Sequence, residues 1–345
     1  MAEFDVSSSG TRMLSAAATL APARDRAIGQ FFLFLKSFLA GTVYLILRLC
    51  RNNIFVFASR FRQCLCDETI VRTIVEHLEV LRVLNGSGAS VLIKRDPNYA
   101  NKYFRPYLAK SFSKSAKRTI LKFHHQFLLS HVNESFYERI SQGGWVLWRE
   151  TIEESRYAIS MSFDAQWHSE GDVSLALYRN DILLYLTSFS IVPGSLIGCT
   201  AEKVIMVGRV HGSRGQAAAV RDAMHECQRI APSHLLLVAV QAIAATLAID
   251  TIAGVTSQEQ LVKREQNATK FLFDYDAFWE TFALTTKGAI VYAIPVPFAR
   301  KEPPTAASRS KARRKRQSFK EQVAANVGAA FAREFVKTSR PIQAS

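Results

Sequence analysis

The sequence predicts an α+β protein, with a mixed, largely antiparallel central sheet and flanking helices. Three observations carry that prediction. Between residues 145 and 191 the chain passes through four short segments rich in β-branched and aromatic residues, and they arrive as hairpins. Residues 201–257 then run as strand, glycine turn, two helical stretches and strand, the order of an α/β unit. On either side of this core the apolar spacing is helical. An all-parallel sheet is disfavoured, because the hairpins precede the first βα unit.

A chain of 345 residues can bury a large core, as one big domain or two of ordinary size. Its 48% of apolar residues excludes wholesale disorder. Lys and Arg number 44 against 29 Asp and Glu, a formal net charge of +15. That surplus favours an anionic partner: a phospholipid surface, a phosphorylated ligand or nucleic acid. The five cysteines, Cys50, Cys64, Cys66, Cys199 and Cys227, are odd in number and loosely spaced. They fit reduced thiols in a cytosolic protein better than a disulfide framework.

Residues 1–26 are rich in Ser, Ala and Thr without a stable period, the composition of a disordered leader. A mainly helical region is expected over 27–140. Its first helix, at 27–51, is strongly apolar but carries Lys36 and Arg48. That interruption argues against a span of about 20 apolar residues, and the late start argues against a signal peptide. A buried or surface-associated helix is expected, with peripheral contact to the inner membrane left open. Ile70, Ile74, Leu78, Leu81 and Leu84 form a helix face that ends at Asn85, Gly86, Ser87 and Gly88. Cys64 and Cys66 lack the second ligand pair that structural zinc needs.

Between Lys94 and Arg118 eight cations interleave with Tyr99, Tyr103, Phe104, Tyr107 and Phe112. Such a mixture can hold a phosphate backbone and stack bases. Without a complete nucleic-acid motif, a solvated helix face with inward aromatics is the preferred reading. A helix over 119–140 holds His124, His125 and His131. Adjacent histidines diverge by about 100° on a helix, and no carboxylate completes a His-Glu-x-x-His pattern, so packing is preferred to metal.

The sheet core is expected over 141–300. Arg179, Asn180 and Asp181 mark a tight reversal between two strands. Asp274, Asp276 and Glu280 alternate with aromatics and read as a packed loop rather than a metal site. Pro303 and Pro304 close the core, and 301–345 forms a basic segment leading into a helix from about 318 to 336. Arg309, Lys311, Arg313, Arg314, Lys315 and Arg316 place six cations in eight residues, a candidate contact for lipid or nucleic acid.

Several stretches, in this order, resemble the VirK/YbjX family of Gram-negative bacteria over residues 56–336. They are residues 125–128, Glu170 and Gly171 leading into 173–177, 184–190, the strand ending at Gly212, 275–280, and the basic run 311–319. The family shows Gln-Gly where this chain has His211 and Gly212. It shows Gly-Leu-Arg-Pro where this chain has Arg229, Ile230, Ala231 and Pro232. The resemblance implies a bacterial intracellular protein linked to virulence or envelope stress, with no settled biochemical activity.

The C-terminal half also resembles the GNAT acyltransferases in element order. The resemblance implies that a glycine turn at a helix start holds the pyrophosphate of CoA or acyl-CoA, as helix starts attract anions generally. Arg209, Gly212, Arg214 and Gly215 are the cofactor-binding candidates, although only Arg209 and Gly212 match that family's pattern. His211, with a side chain that titrates near neutrality, is the candidate base. The alternatives are a non-enzymatic basic protein acting at the inner membrane and, third, a nucleic-acid-binding protein.

Overall fold

The computed structural model describes residues 68–163, 168–261, 274–282, 284–298 and 308–337. The expected leader, the apolar helix at 27–51 and Cys50, Cys64 and Cys66 lie outside these residues. The chain divides into two units, Met1–Glu79 and Val80–Ser345. The first is described only in the opening turns of α1 (Glu68–Gly86); everything that follows concerns the second.

Helices α2 (Ser90–Arg95), α3 (Lys114–His131) and α4 (Ser135–Ser141) precede a sheet of eight strands. These are β1 (Trp145–Ile152), β2 (Ser155–Ser162), β3 (Val173–Arg179), β4 (Ile182–Pro193), β5 (Lys203–Gly212), β6 (Thr251–Val255), β7 (Thr286–Lys287) and β8 (Val291–Pro295). Their order in space is β1-β2-β3-β4-β5-β6-β8-β7. All neighbours are antiparallel except β5 and β6. The crossover between those two is made by α5 (Ala217–Glu226) and α6 (Pro232–Thr246). Helix α7 (Tyr275–Trp279) precedes β7, and α8 (Ser308–Phe335) follows β8. The expected α+β architecture, a mostly antiparallel sheet with flanking helices, is what the chain adopts.

Local chemistry accounts for the main elements. Strand β2 buries Tyr157, Ile159 and Met161 and turns the intervening residues outward, the period-two signature of a strand. Asn180 and Asp181 take φ of 47° and 66°, the left-handed pair of a two-residue hairpin turn. Helix α6 is apolar on all sides because it is covered on all sides: it packs on β3, β4 and β5, and α8 lies against it. Gly328 of α8 keeps that helix pair close, since a Cβ there would stand 3.4 Å from Thr246.

Three expectations need correction. The helix expected over 119–140 is broken at 132–134. There the C-terminal end of α8 competes for the backbone: Asn133 donates its N–H to Phe335 O at 2.7 Å and its side-chain amide to Glu334 O at 2.7 Å. Lys94 to Arg118 is not one continuous helix: Lys94 and Arg95 end α2, and Lys114, Lys117 and Arg118 open α3. Pro97 and Pro106 bias the residues before them away from helix, leaving α2, a 3₁₀ turn (Tyr99–Phe104) and a stretch of bends and turns up to α3. Tyr99, Tyr103, Tyr107 and Phe112 do turn inward, Phe104 stays exposed, and Lys102 is buried with the tyrosines. The terminal helix starts at Ser308, ten residues before the expected 318. Residues 308–317 contain neither Gly nor Pro and are rich in Arg and Lys, good helix formers.

Among the described residues no helix is long and apolar enough to cross a membrane, and no cluster of acidic, His or Cys side chains is placed to hold a metal.

Candidate functional site at the parting of β5 and β6

Parallel strands β5 and β6 pair only at Ile205–Ile252, Met206–Ala253 and Val207–Gly254. The next residue, Gly208, is the extra residue of a bulge against β4, where the register shifts between Ser188 and Phe189. A bulge bends its strand, and β5 leaves β6 here. Segment 170–172 lies across this bend. A Cβ on Gly208 would stand 2.3 Å from Glu170 O, and one on Gly171 would stand 2.4 Å from Phe189 N. Neither position accepts a side chain without moving backbone.

Past the bulge the unpaired edge of β5 is satisfied by buried side chains. Val210 donates its N–H to the Tyr275 hydroxyl at 3.1 Å, and that hydroxyl donates to Val210 O at 3.0 Å. Gln260 Nε2 donates to the same hydroxyl at 2.7 Å and to Glu170 Oε1 at 3.4 Å. Arg209 Nε lies 3.4 Å from Glu170 Oε2, close enough for ion pairing but without hydrogen-bond geometry. Glu170, Arg209, Gln260 and Tyr275 are all buried. Burial raises the Glu170 carboxyl to about 7, and Arg209 relieves only part of that shift. A polar ring at the carboxyl ends of two parting parallel strands occupies the position where open α/β sheets bind ligands.

On the other side of Gly171, Asp172 anchors a second buried network. It accepts from Tyr99 Oη at 2.6 Å, from Ser190 Oγ at 2.5 Å, and from Tyr107 and Lys102. The Lys102 ammonium also lies 4.8 Å and 4.0 Å from the ring centroids of Tyr99 and Tyr107. Burial works against both charges. On Asp172 it is outweighed by Lys102, His124 and His125, which hold the carboxyl well below its ordinary range. On Lys102 burial prevails over the attraction of Asp172, and its pKa is lowered.

Hydrogen bonding fixes the neighbouring histidines. Tyr99 gives its hydrogen to Asp172, so His125 Nε2–H donates to Tyr99 at 2.9 Å and Nδ1 accepts from Tyr137 at 2.6 Å. His124 Nδ1 accepts the N–H of Ile191 at 3.0 Å, beyond the last residue of β4 that pairs with β3. Its Nε2 has no partner among the described residues, and its ring helps line a cavity of about 10 Å³ walled by apolar side chains such as Phe136, Phe189 and Phe331. That is about the room one water needs. Burial lowers His124 to about 4 and His125 well below its ordinary value. Both rings are packed in the interior in their neutral form.

The residues singled out from sequence are distributed differently. Arg209 faces Glu170 inside the ring, not the glycine turn. His211 is exposed near the end of β5, its pKa lowered by partial desolvation and by Arg209. Gly212 closes the strand, with the Tyr185 ring 2.9 Å from where its Cβ would sit. Arg214 and Gly215 are exposed in the turn. Gly215 has φ of +81° and open space around it, and α5 begins two residues later with no side-chain cap. Lys311, Arg313, Arg314, Lys315 and Arg316 stand exposed on α8; Arg309 lies in its first turn. Asp274 caps α7 by accepting from Ala277 N–H at 3.0 Å, and Asp276 accepts from Ser257 N–H at 2.9 Å. Asp172 and Gln260 were not singled out from sequence; Glu170 and Tyr275 entered only as marks of the family resemblance, and Lys102 only as one cation of the basic, aromatic stretch.

Fold and site together define a class: an α+β protein whose one parallel strand pair, among the described strands, opens onto a buried polar ring. The chain belongs to the family described as "Protein of unknown function (DUF535)", whose model matches residues 64–329. It is similar to the uncharacterized protein YbjX of Escherichia coli strain K12, with 24% identity over 277 residues, 78% of this chain and 82% of that one. The VirK/YbjX resemblance is thereby borne out. No solved structure matches.

Proposed function

We propose that the parting of β5 and β6 is the active site of an acyltransferase that uses acyl-CoA or another phosphorylated acyl donor. The observation that carries this reading is the position of Glu170: a buried carboxyl raised to about 7, at the point where β5 leaves its parallel neighbour. A base works best when its pKa lies near the working pH. Glu170 takes the proton from the acceptor nucleophile, and Arg209 holds the carboxylate that must re-form. Tyr275 is the hydroxyl available to return a proton, and His211, exposed near the strand end, is a second candidate base.

Phosphates fit the turn better than they fit Arg209. The uncapped start of α5 leaves backbone N–H groups to attract an anion, Arg214 adds a charge, and Gly215 leaves the approach open. Such a donor supplies an acyl group activated as a thioester. The edge of β5 at Val210 is held by Tyr275, so an extended ligand lies along it only after that hydroxyl moves away. A cytoplasmic setting and a link to virulence or envelope stress come with the family resemblance and form the biological frame of the proposal.

Isothermal titration of the full chain with CoA, acetyl-CoA and long-chain acyl-CoA tests it. Heat is expected with at least one donor, weakened by Gly215→Asp. Glu170→Gln should retain binding and lose turnover. No heat at millimolar concentrations of all three ends the acyl-CoA reading.

A further inference from the structure

That site uses little of the net charge of +15, and α8 displays a dense part of it. Its C-terminal half is anchored: Val323, Val327, Ala330, Phe331 and Phe335 are buried, and the helix packs on α6, β1 and α4. Its N-terminal part faces solvent. From Lys311 to Arg316 every residue is exposed, and the first turn has no acid. The first acid after Ser308 is Glu321.

The charges this arm carries repel one another. Cations crowd the helix N-terminus, the end that favours negative charge. Lys311 with Lys315, and Arg313 with Arg316, are like charges at neighbouring helix positions, which destabilises a helix. An anionic partner reverses both penalties. The angular distribution then selects among anions. At about 100° per residue, taking Lys311 as 0°, Lys315 falls at about 40°, Arg316 at 140°, Arg313 at 200° and Arg314 at 300°. No gap between neighbouring cations exceeds about 100°, so the charge surrounds the axis.

A planar lipid surface meets one side of such a helix. Helices that settle into a membrane interface carry Trp, Phe or Leu on one face, and residues 308–318 contain no large apolar side chain. The major groove of B-form DNA is about 12 Å wide and admits a helix, with phosphates along both walls. The deep, narrow major groove of duplex RNA does not. We propose that the N-terminal arm of α8 is a duplex-DNA-binding element that inserts into the major groove and is held mainly by phosphates. This goes beyond the acyl-transfer reading and does not depend on it. The sequence ranked phospholipid ahead of nucleic acid; the helical geometry reverses that order.

The test is fluorescence anisotropy of the full chain with a labelled double-stranded DNA oligomer, over a salt series. Five phosphate contacts give a slope of log K against log salt of about −4.5, or about 500-fold weaker binding at 200 mM than at 50 mM salt. Two double variants on opposite sides of the helix, Lys311→Gln with Lys315→Gln and Arg313→Gln with Arg316→Gln, should each reduce the slope by about 1.8. Their far-UV spectra should match wild type, because these side chains are exposed. The proposal is overturned if only one pair matters, as on a planar surface. It is also overturned if neither matters, or if vesicles containing phosphatidylglycerol bind more tightly than the duplex.

Discussion

Glu170 and Asp172 are separated only by Gly171, are both almost fully buried, and behave in opposite ways. Asp172 accepts four hydrogen bonds, one from an ammonium, and its proton affinity is held low. Glu170 has a distant amide donor and a guanidinium placed for ion pairing but not for a hydrogen bond, and its proton affinity is high. Burial alone therefore does not set the charge of a carboxyl; the number and aim of its donors do. Asp172 ties Tyr99 and Lys102 of the 3₁₀ turn, and Tyr107 beyond it, to Ser190 of β4, whereas Glu170 holds its proton more tightly than an ordinary carboxyl.

The largest expected effect comes from breaking the Asp172 side. Asp172→Ala leaves the buried Lys102 without its counter-ion, which should cost about 3–5 kcal/mol in chemical denaturation. Replacing Lys102 by Met in the same chain should recover part of that loss. A single-variant loss below about 1 kcal/mol would show that solvent reaches the pair.

The Glu170 side is tested by pH. Glu170 has a folded pKa above its unfolded value of about 4.3, so its contribution is full below that value and lost as pH rises through 7. His124 has a folded value of about 4, below the ordinary 6.5, so its contribution is full above 6.5 and lost as pH falls toward 4. The two slopes oppose each other between about pH 4.5 and 6.5. Glu170→Gln should remove one of them. The stability of the variant relative to wild type should then rise by about 3 kcal/mol from pH 4.5 to above 7. A difference independent of pH would refute the raised carboxyl.

A smaller effect is expected at Tyr275. Tyr275→Phe leaves both polar groups of Val210 without their partner, a loss of about 1–3 kcal/mol by thermal or chemical unfolding. If a ligand amide uses the same edge, added acyl donor should restore more stability to this variant than to wild type. The smallest change is Arg214→Gln, expected to leave stability within about 0.5 kcal/mol while weakening any phosphorylated ligand. Gly212→Asp is a poorer probe of the same anion, because Tyr185 fills the space its side chain would need.

The comparison also marks what local sequence carries. Alternation over 155–162, the Asn180 and Asp181 reversal, the uninterrupted apolar run of α6 and the cation density of 309–316 are each written within a few consecutive residues. A sheet preceded by hairpins and joined to one crossover unit was legible from them, as was membership of the family. Side-chain periodicity reports which face of a local element is apolar, and it goes no further.

Only the tertiary structure decided which residues meet. Tyr275 reaches Val210 across 65 positions, and Lys102 reaches Asp172 across 70. A lysine in a basic, aromatic stretch looks solvated until a carboxylate from another element is packed against it. The break after His131 belongs to the same class, since the end of α8 supplies partners that the helix alone lacks. Glycine turn, histidine and arginine were readable as types, but Arg209 was turned inward by Glu170, 39 residues before it in the chain. Propensity acts between neighbours in sequence; desolvation and pairing act between neighbours in space, and at this site the second decides which groups keep their charge.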